Sequence, residues 1–135
     1  MLLGPGQAGD SPMFAHVLGA IHVPRHGPGR PRIRPDRVIA DKAYSSRGNR
    51  ALLRRRGIVA VIPEPSDQAG HRKRRGSEGG RPVSYDPEAH RGRNAVERSF
   101  NLFKHWRGLA TRYDKLAITY RGGVVLASIT IWLRQ

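Results

Sequence analysis

His90, Arg93, Glu97 and Lys104 are spaced by three, four and seven residues, and at 3.6 residues per turn this sets them within about 60° of one another on a helix. One face would then carry a carboxylate flanked by cations. Arg grips phosphate as a fork and Lys as a point charge. A second carboxylate, Asp41, closes the run Arg37-Val38-Ile39-Ala40-Asp41, the form of a buried strand whose last residue emerges at the sheet edge. Two such carboxylates on elements that pack together suit Mg2+, which takes one or two carboxylates and keeps waters for a phosphate substrate. Each residue also has a plainer reading. Glu97 pairs with Arg93 on a helix surface for roughly 0.2–0.5 kcal/mol, and Asp41 caps the turn after its strand.

The elements that must position these side chains are legible around them. Ser45 and Ser46 cap a helix whose apolar side uses Ala51, Leu52 and Leu53. Arg54, Arg55 and Arg56 close it at the negative end of its dipole, and Gly57 stands where a left-handed C-cap belongs. Ile58-Val59-Ala60-Val61-Ile62 then reads as a strand buried on both faces. Strand, helix and strand in this order make a βαβ unit with two parallel strands. Upstream, Asp10-Ser11-Pro12 is a helix start with Asp10 as N-cap candidate, and Met13, Phe14, Val17, Leu18 and Ile21 continue at helical spacing to about residue 21. Residues 24–35 are a solvated connector rich in Pro, Gly and Arg.

Residues 64–85 lose all periodicity and contain His71-Arg72-Lys73-Arg74-Arg75. They are expected to form an exposed, weakly ordered basic insertion loop. Asp86-Pro87-Glu88 opens a helical pattern that runs to Trp106-Arg107-Gly108, with Gly92 as its weak point. On it Val96, Phe100 and Phe103 form a stripe beside the charged face that can pack on the sheet. A last apolar helix spans about residues 115–134. Its core, Val124 to Leu133, is about half the ~20 residues a membrane span needs and reads as a buried helix.

Composition narrows the partners. Among 135 residues, Lys and Arg number 25 against 10 acids, a net charge of +15, which favours a polyanion: nucleic acid or a membrane surface. A GC-rich coding sequence would explain Arg over Lys, but not the excess over acids. The absence of cysteine excludes disulfide frameworks, thiolate metal sites and thiol nucleophiles. The histidines show no His-x-x-x-His pair, which argues against zinc, and no Walker loop or Gly-x-Gly-x-x-Gly precedes a helix. No signal peptide is indicated at the amino terminus.

Three stretches together carry a resemblance: residues 39–46 (Ile-Ala-Asp-Lys-Ala-Tyr-Ser-Ser), 55–63 (Arg-Arg-Gly-Ile-Val-Ala-Val-Ile-Pro), and 92–108 from Gly-Arg-Asn-Ala-Val-Glu-Arg-Ser-Phe to Lys-His-Trp-Arg-Gly. They resemble the catalytic domain of bacterial insertion-sequence transposases of the DDE type. In that family a segment ending Asp-Lys-Ala/Gly-Tyr supplies the second catalytic Asp, which matches Asp41. A Tyr, Arg, Glu, Lys signature spans the helix of the catalytic Glu, and Arg93, Glu97 and Lys104 fit its spacing. His90 stands where the family has Tyr, a residue that contacts DNA.

The resemblance implies an α/β, RNase H-like fold with a parallel strand pair and flanking helices, and metal-dependent DNA cleavage and strand transfer. Asp41 and Glu97 would be catalytic and hold Mg2+ or Mn2+, with two ions in the intact family. Arg93, Lys104 and His90 would meet DNA, and Arg72, Lys73, Arg74 and Arg75 would add sequence-independent backbone binding. Gly6-Gln7-Ala8-Gly9-Asp10 resembles the loop after the strand that bears the family's first Asp, which places that strand upstream of Met1 and makes the chain a carboxyl-terminal part of the domain. Two of three acids would leave it inactive alone, unless another transposase polypeptide supplies the missing region. Transposon ends and target DNA are the implied partners, with no membrane, in the bacterial cytoplasm at the nucleoid. The alternative is a non-catalytic basic protein that binds nucleic acid.

Overall fold

The computed structural model describes residues 2–4, 9–111 and 113–134. The fold is mixed α/β. It divides into two compact units, residues 7–92, and residues 93–135 together with 1–6.

The first unit is built on the βαβ motif. Strand β1 (Arg37–Ile39) pairs in parallel with a second strand, β2 (Val59–Val61), in the register Arg37↔Val59 to Ile39↔Val61. Helix α1 (Phe14–Gly19) comes before β1 in the chain, and helix α2 (Arg47–Arg55) connects the two strands. The Ser46 hydroxyl accepts from the Asn49 amide at 3.1 Å and starts α2, as its position predicts. At the other end Gly57 takes φ +63°. Its amide donates to the Arg54 carbonyl and that of Ile58 to the Leu53 carbonyl, the paired bonds of a Schellman cap. Ile58 and Leu53 are both buried, so the cap aims the chain directly into β2. Phe14, Leu18, Leu53, Ile58 and Ile62 form the core, and the Phe14 and Tyr44 rings lie 5.6 Å apart.

Asp10 stands at the N-cap of a 3₁₀ turn (Ser11–Met13) with no side-chain cap bond, its carbonyl accepting the turn's own bond from Met13. Three local expectations are corrected in this unit and the next. Strand β2 is not buried on both faces: Val59 is 61% exposed, because a sheet of two strands has no layer over that side. The stretch read as a basic loop contains helix α3 (Ser66–Arg74) and a 3₁₀ turn (Gly76–Gly79). Helix α3 is polar on every side, so no apolar period announces it. Asp67 in its first turn and Arg72, Lys73 and Arg74 in its last complement the dipole. Two contacts tie it down: a fork from Arg72 to Glu64 at 2.9 and 3.3 Å, and a 3.3 Å bond from the Ser45 hydroxyl to Gln68.

Helix α4 (Pro87–Arg91) ends this unit. The Asp86 carboxylate caps it, accepting from the Glu88 and Ala89 amides at 3.0 and 2.9 Å. The chain then breaks at Gly92 and Arg93, and the second unit begins with α5 (Asn94–Lys104), followed by α6 (Arg107–Ala110) and α7 (Ala117–Leu133). Helix α7 matches the last apolar helix of the sequence reading but is not buried: Ala127 is its one buried residue, and Trp132 is 74% exposed. It is apolar all round, and two short helices in its unit offer too little surface to cover it. No helix among the described residues is long and apolar enough to cross a membrane.

Candidate active site

Asp41 follows β1 by two residues in extended backbone, φ −67° and ψ 159°. Its Oδ1 accepts from the Ala43 amide at 3.0 Å, capping a 3₁₀ turn over Lys42–Tyr44. The cap uses one of about four acceptor positions on the carboxylate and holds the side chain at the carboxyl edge of the sheet. Beyond the turn, Ser45 is 2% exposed. The Arg50 guanidinium donates to its hydroxyl at 2.8 and 3.1 Å and to the Ile62 carbonyl at 2.8 Å. Arg50 therefore joins the Asp41 turn to the end of β2. Burial lowers its pKa, against the opposing charge of Glu64. Burial pushes the Tyr44 phenol above its ordinary value, and the charges of Asp10 and Asp41 act in the same sense.

His90 takes a different place from the one its spacing implies. Gly92 ends α4, so His90 does not share a continuous helix face with Arg93, Glu97 and Lys104. Its Nε2–H donates to the Ala40 carbonyl at 3.3 Å, and the Tyr85 ring meets the imidazole edge-on at 5.5 Å. His90 thus sits against the end of β1, one residue from Asp41.

In the second unit Glu97 lies in the first turn of α5, where the helix dipole favours an acid. Arg93 donates to Glu97 Oε1 at 3.0 Å across one turn, with 36% and 56% of the two side chains exposed. That is the surface pair of the plainer reading. Lys104 occupies the last turn of the same helix. Val96 and Phe100 are exposed, Phe100 by 62%, so the stripe expected to pack is not a buried one. Asp41 and Glu97 belong to different units.

The basic stretch divides by role. Arg72 is held by Glu64, whose carboxyl Arg72 keeps below its ordinary range while burial opposes. Lys73, Arg74 and Arg75 are exposed, and Arg74 bonds to His71 Nδ1 at 2.8 Å. Of the loop Gly6-Gln7-Ala8-Gly9-Asp10, residues 6–8 lie outside the described residues.

Arg50 and Tyr85 are the residues that sequence reasoning missed. Arg50 reads as one more polar position on α2, because its partners are a serine in the preceding turn and carbonyls of another strand. Tyr85 precedes a helix start and has no periodic signal of its own.

Among the described residues no cluster of three or more His, Cys, Asp or Glu side chains forms a metal site. Asp41 and Glu97 each offer hard oxygen donors of the kind a hydrated divalent ion takes. They do not fit zinc in the thiolate or imidazole sets that it prefers.

A family model described as the transposase DDE domain matches residues 38–134. A protein of Brucella ovis named "Putative transposase for insertion sequence element IS6501" is 28% identical over 134 residues, covering 96% of this chain and 84% of that protein. No solved structure matches the chain.

Proposed function

The chain belongs to the transposase DDE domain family, and on that premise we propose that it acts on DNA in transposition, with Asp41 and Glu97 as its catalytic carboxylates. The observation that carries this reading is the single match over residues 38–134, which takes in Asp41, Arg93, Glu97 and Lys104 together. We read the parallel βαβ unit with its flanking helices as part of an RNase H-like fold, whose carboxyl strand edge is where Asp41 stands.

The chain's own residues divide the work as follows. Asp41, oriented by its bond from Ala43, and Glu97, paired with Arg93, are the carboxylates that would ligate Mg2+ or Mn2+. A divalent ion held by such carboxylates would supply Lewis-acid stabilisation to the oxygens of a phosphodiester. Arg93 presents a guanidinium fork beside that carboxylate, and Lys104 a point charge two turns along the helix. Lys73, Arg74 and Arg75 bind the DNA backbone without regard to sequence. His90 holds the end of β1 against α4, so its contribution to DNA binding is indirect. The family uses three acids, of which Asp41 and Glu97 match two; two carboxylates by themselves hold divalent ions too loosely for the in-line geometry that cutting needs, so residues 1–135 are expected to bind DNA without cutting it.

Two measurements test this. Anisotropy of a labelled duplex under rising salt should give a log-log slope near −4.5 if about five phosphates are neutralised; salt-independent binding would overturn the electrostatic reading. Supercoiled plasmid with Mg2+ or Mn2+ should stay intact. Nicking that vanishes in Glu97→Ala would refute inactivity while supporting the catalytic assignment.

A further inference from the structure

At the other end of β1 from Asp41 lies an open cleft of about 360 Å3, lined by Ile21, Val23 and Pro35, by Arg32, Arg34 and Arg37, and by the acid Asp36. The connector that forms it is pinned in place. Val23 and Arg32 exchange backbone hydrogen bonds at 2.9 and 2.8 Å. Arg34 donates to the Arg56 carbonyl at 3.1 Å and Arg56 to the Ile33 carbonyl at 3.0 Å, so the connector and the end of α2 hold each other. Those reciprocal bonds bring Arg34 and Arg56 together and join two arginine-rich segments, residues 24–37 with five arginines and residues 54–56 with three, which between them hold a single acid, Asp36. Asp36 is already paired with Arg32.

Fixing so many like charges together opposes the compact state through self-repulsion. A polyanion seated there removes that cost, and guanidinium forks match phosphate in geometry as well as charge. Composition alone would scatter arginines over the surface. Here two arginine-rich segments are bonded to each other, and Arg32, Arg34 and Arg37 share one cleft at the start of β1. From Arg37 to Asp41 four extended residues span roughly 13 Å, beyond the ~8 Å screening length at physiological salt. The cleft therefore attracts phosphate independently of the carboxylate end.

We propose that this arginine-edged cleft is a second duplex-DNA surface, gripping the phosphate backbone at the amino end of β1. It rests on the reading that the chain acts on DNA, and it adds a contact region outside the carboxylates and the α3 cations. Arg32 and Arg34 line the cleft, and Arg56 pins the connector that forms it. The exposed Arg30, Arg37, Arg54 and Arg55 take no part in those bonds, and their replacement can be made without unpinning it.

The test compares the full chain with R30Q/R37Q/R54Q/R55Q and with K73Q/R74Q/R75Q. Each is checked for folding by circular dichroism and titrated with a labelled duplex at several salt concentrations. At about 0.9 of slope per phosphate contact, the cleft variant should be shallower by about two to four and bind at least tenfold more weakly at low salt. A folded cleft variant with the parent slope overturns the proposal while the DNA reading stands, since the parent still binds. A parent chain that binds no duplex overturns the DNA reading, and the cleft falls with it. Should the cleft variant unfold, the single variants R30Q and R37Q replace it, each expected to flatten the slope by up to about 0.9. An unchanged slope in both folded single variants overturns the proposal.

Discussion

The Nε2 of His90 stands 3.3 Å from the carbonyl oxygen of Ala40, the residue before Asp41. A carbonyl only accepts, so in this contact Nε2–H is the donor. Fifty positions separate the two residues, and the bond holds α4 against the end of the strand after which Asp41 emerges. Where the family carries a DNA-contacting Tyr, this chain has an imidazole turned toward its own backbone, with Tyr85 packed on its edge.

Removing that latch should be measurable. His90→Ala leaves the half-buried Ala40 carbonyl short of a partner and should lower stability by about 1 kcal/mol, read as a shift in the urea midpoint at constant slope. An unchanged midpoint would show that α4 is held by something else.

Asp41 caps a turn and is the proposed metal ligand, and substitution separates the two roles. Asn keeps an oxygen for the Ala43 amide and Ala does not, so Asp41→Ala should cost about 1 kcal/mol more than Asp41→Asn in thermal unfolding. Both should lose Mn2+ binding. Equal destabilisation by the two variants would mean that the cap contributes nothing.

Glu64 makes the fold sensitive to acid. Arg72 donates to its carboxylate and lowers its pKa from the ordinary 4.5, with burial opposing. The folded state therefore binds fewer protons than the unfolded chain just below that value. The stability Glu64 contributes is complete above about pH 4.5 and is lost as pH falls through its folded pKa. Urea titrations at a series of pH values should show this acid limb weakened in Glu64→Gln. A limb of identical steepness in that variant would place the sensitivity on other carboxyls.

Leu53 and Val59 should behave oppositely despite their similar character. Leu53 is fully buried in the core, and Leu53→Ala should cost about 2–5 kcal/mol. Val59 projects from the uncovered side of β2, and Val59→Ala should cost less than about 1 kcal/mol. Comparable losses would mean that this side of the sheet is covered in solution.

What the amino-acid order determined by itself is the βαβ unit and the edge position of Asp41. Its signals are short-range: Ser46 three residues from the amide it caps, Gly57 supplying a positive φ, apolar runs of strand length on either side. The pair of Arg93 and Glu97 was legible for the same reason, since one helical turn fixes their distance. Only the tertiary structure decided the fate of residues 66–74, where a helix with no apolar face is held by Glu64 and Ser45 instead of by its own pattern. It also decided that His90 faces Ala40, that Arg50 ties the Asp41 turn to β2, and that Arg34 of the connector and Arg56 at the end of α2 each bond the other's segment. Each of these depends on a partner from another element, and hydrophobic period and capping chemistry describe only what a residue does with its near neighbours in the chain.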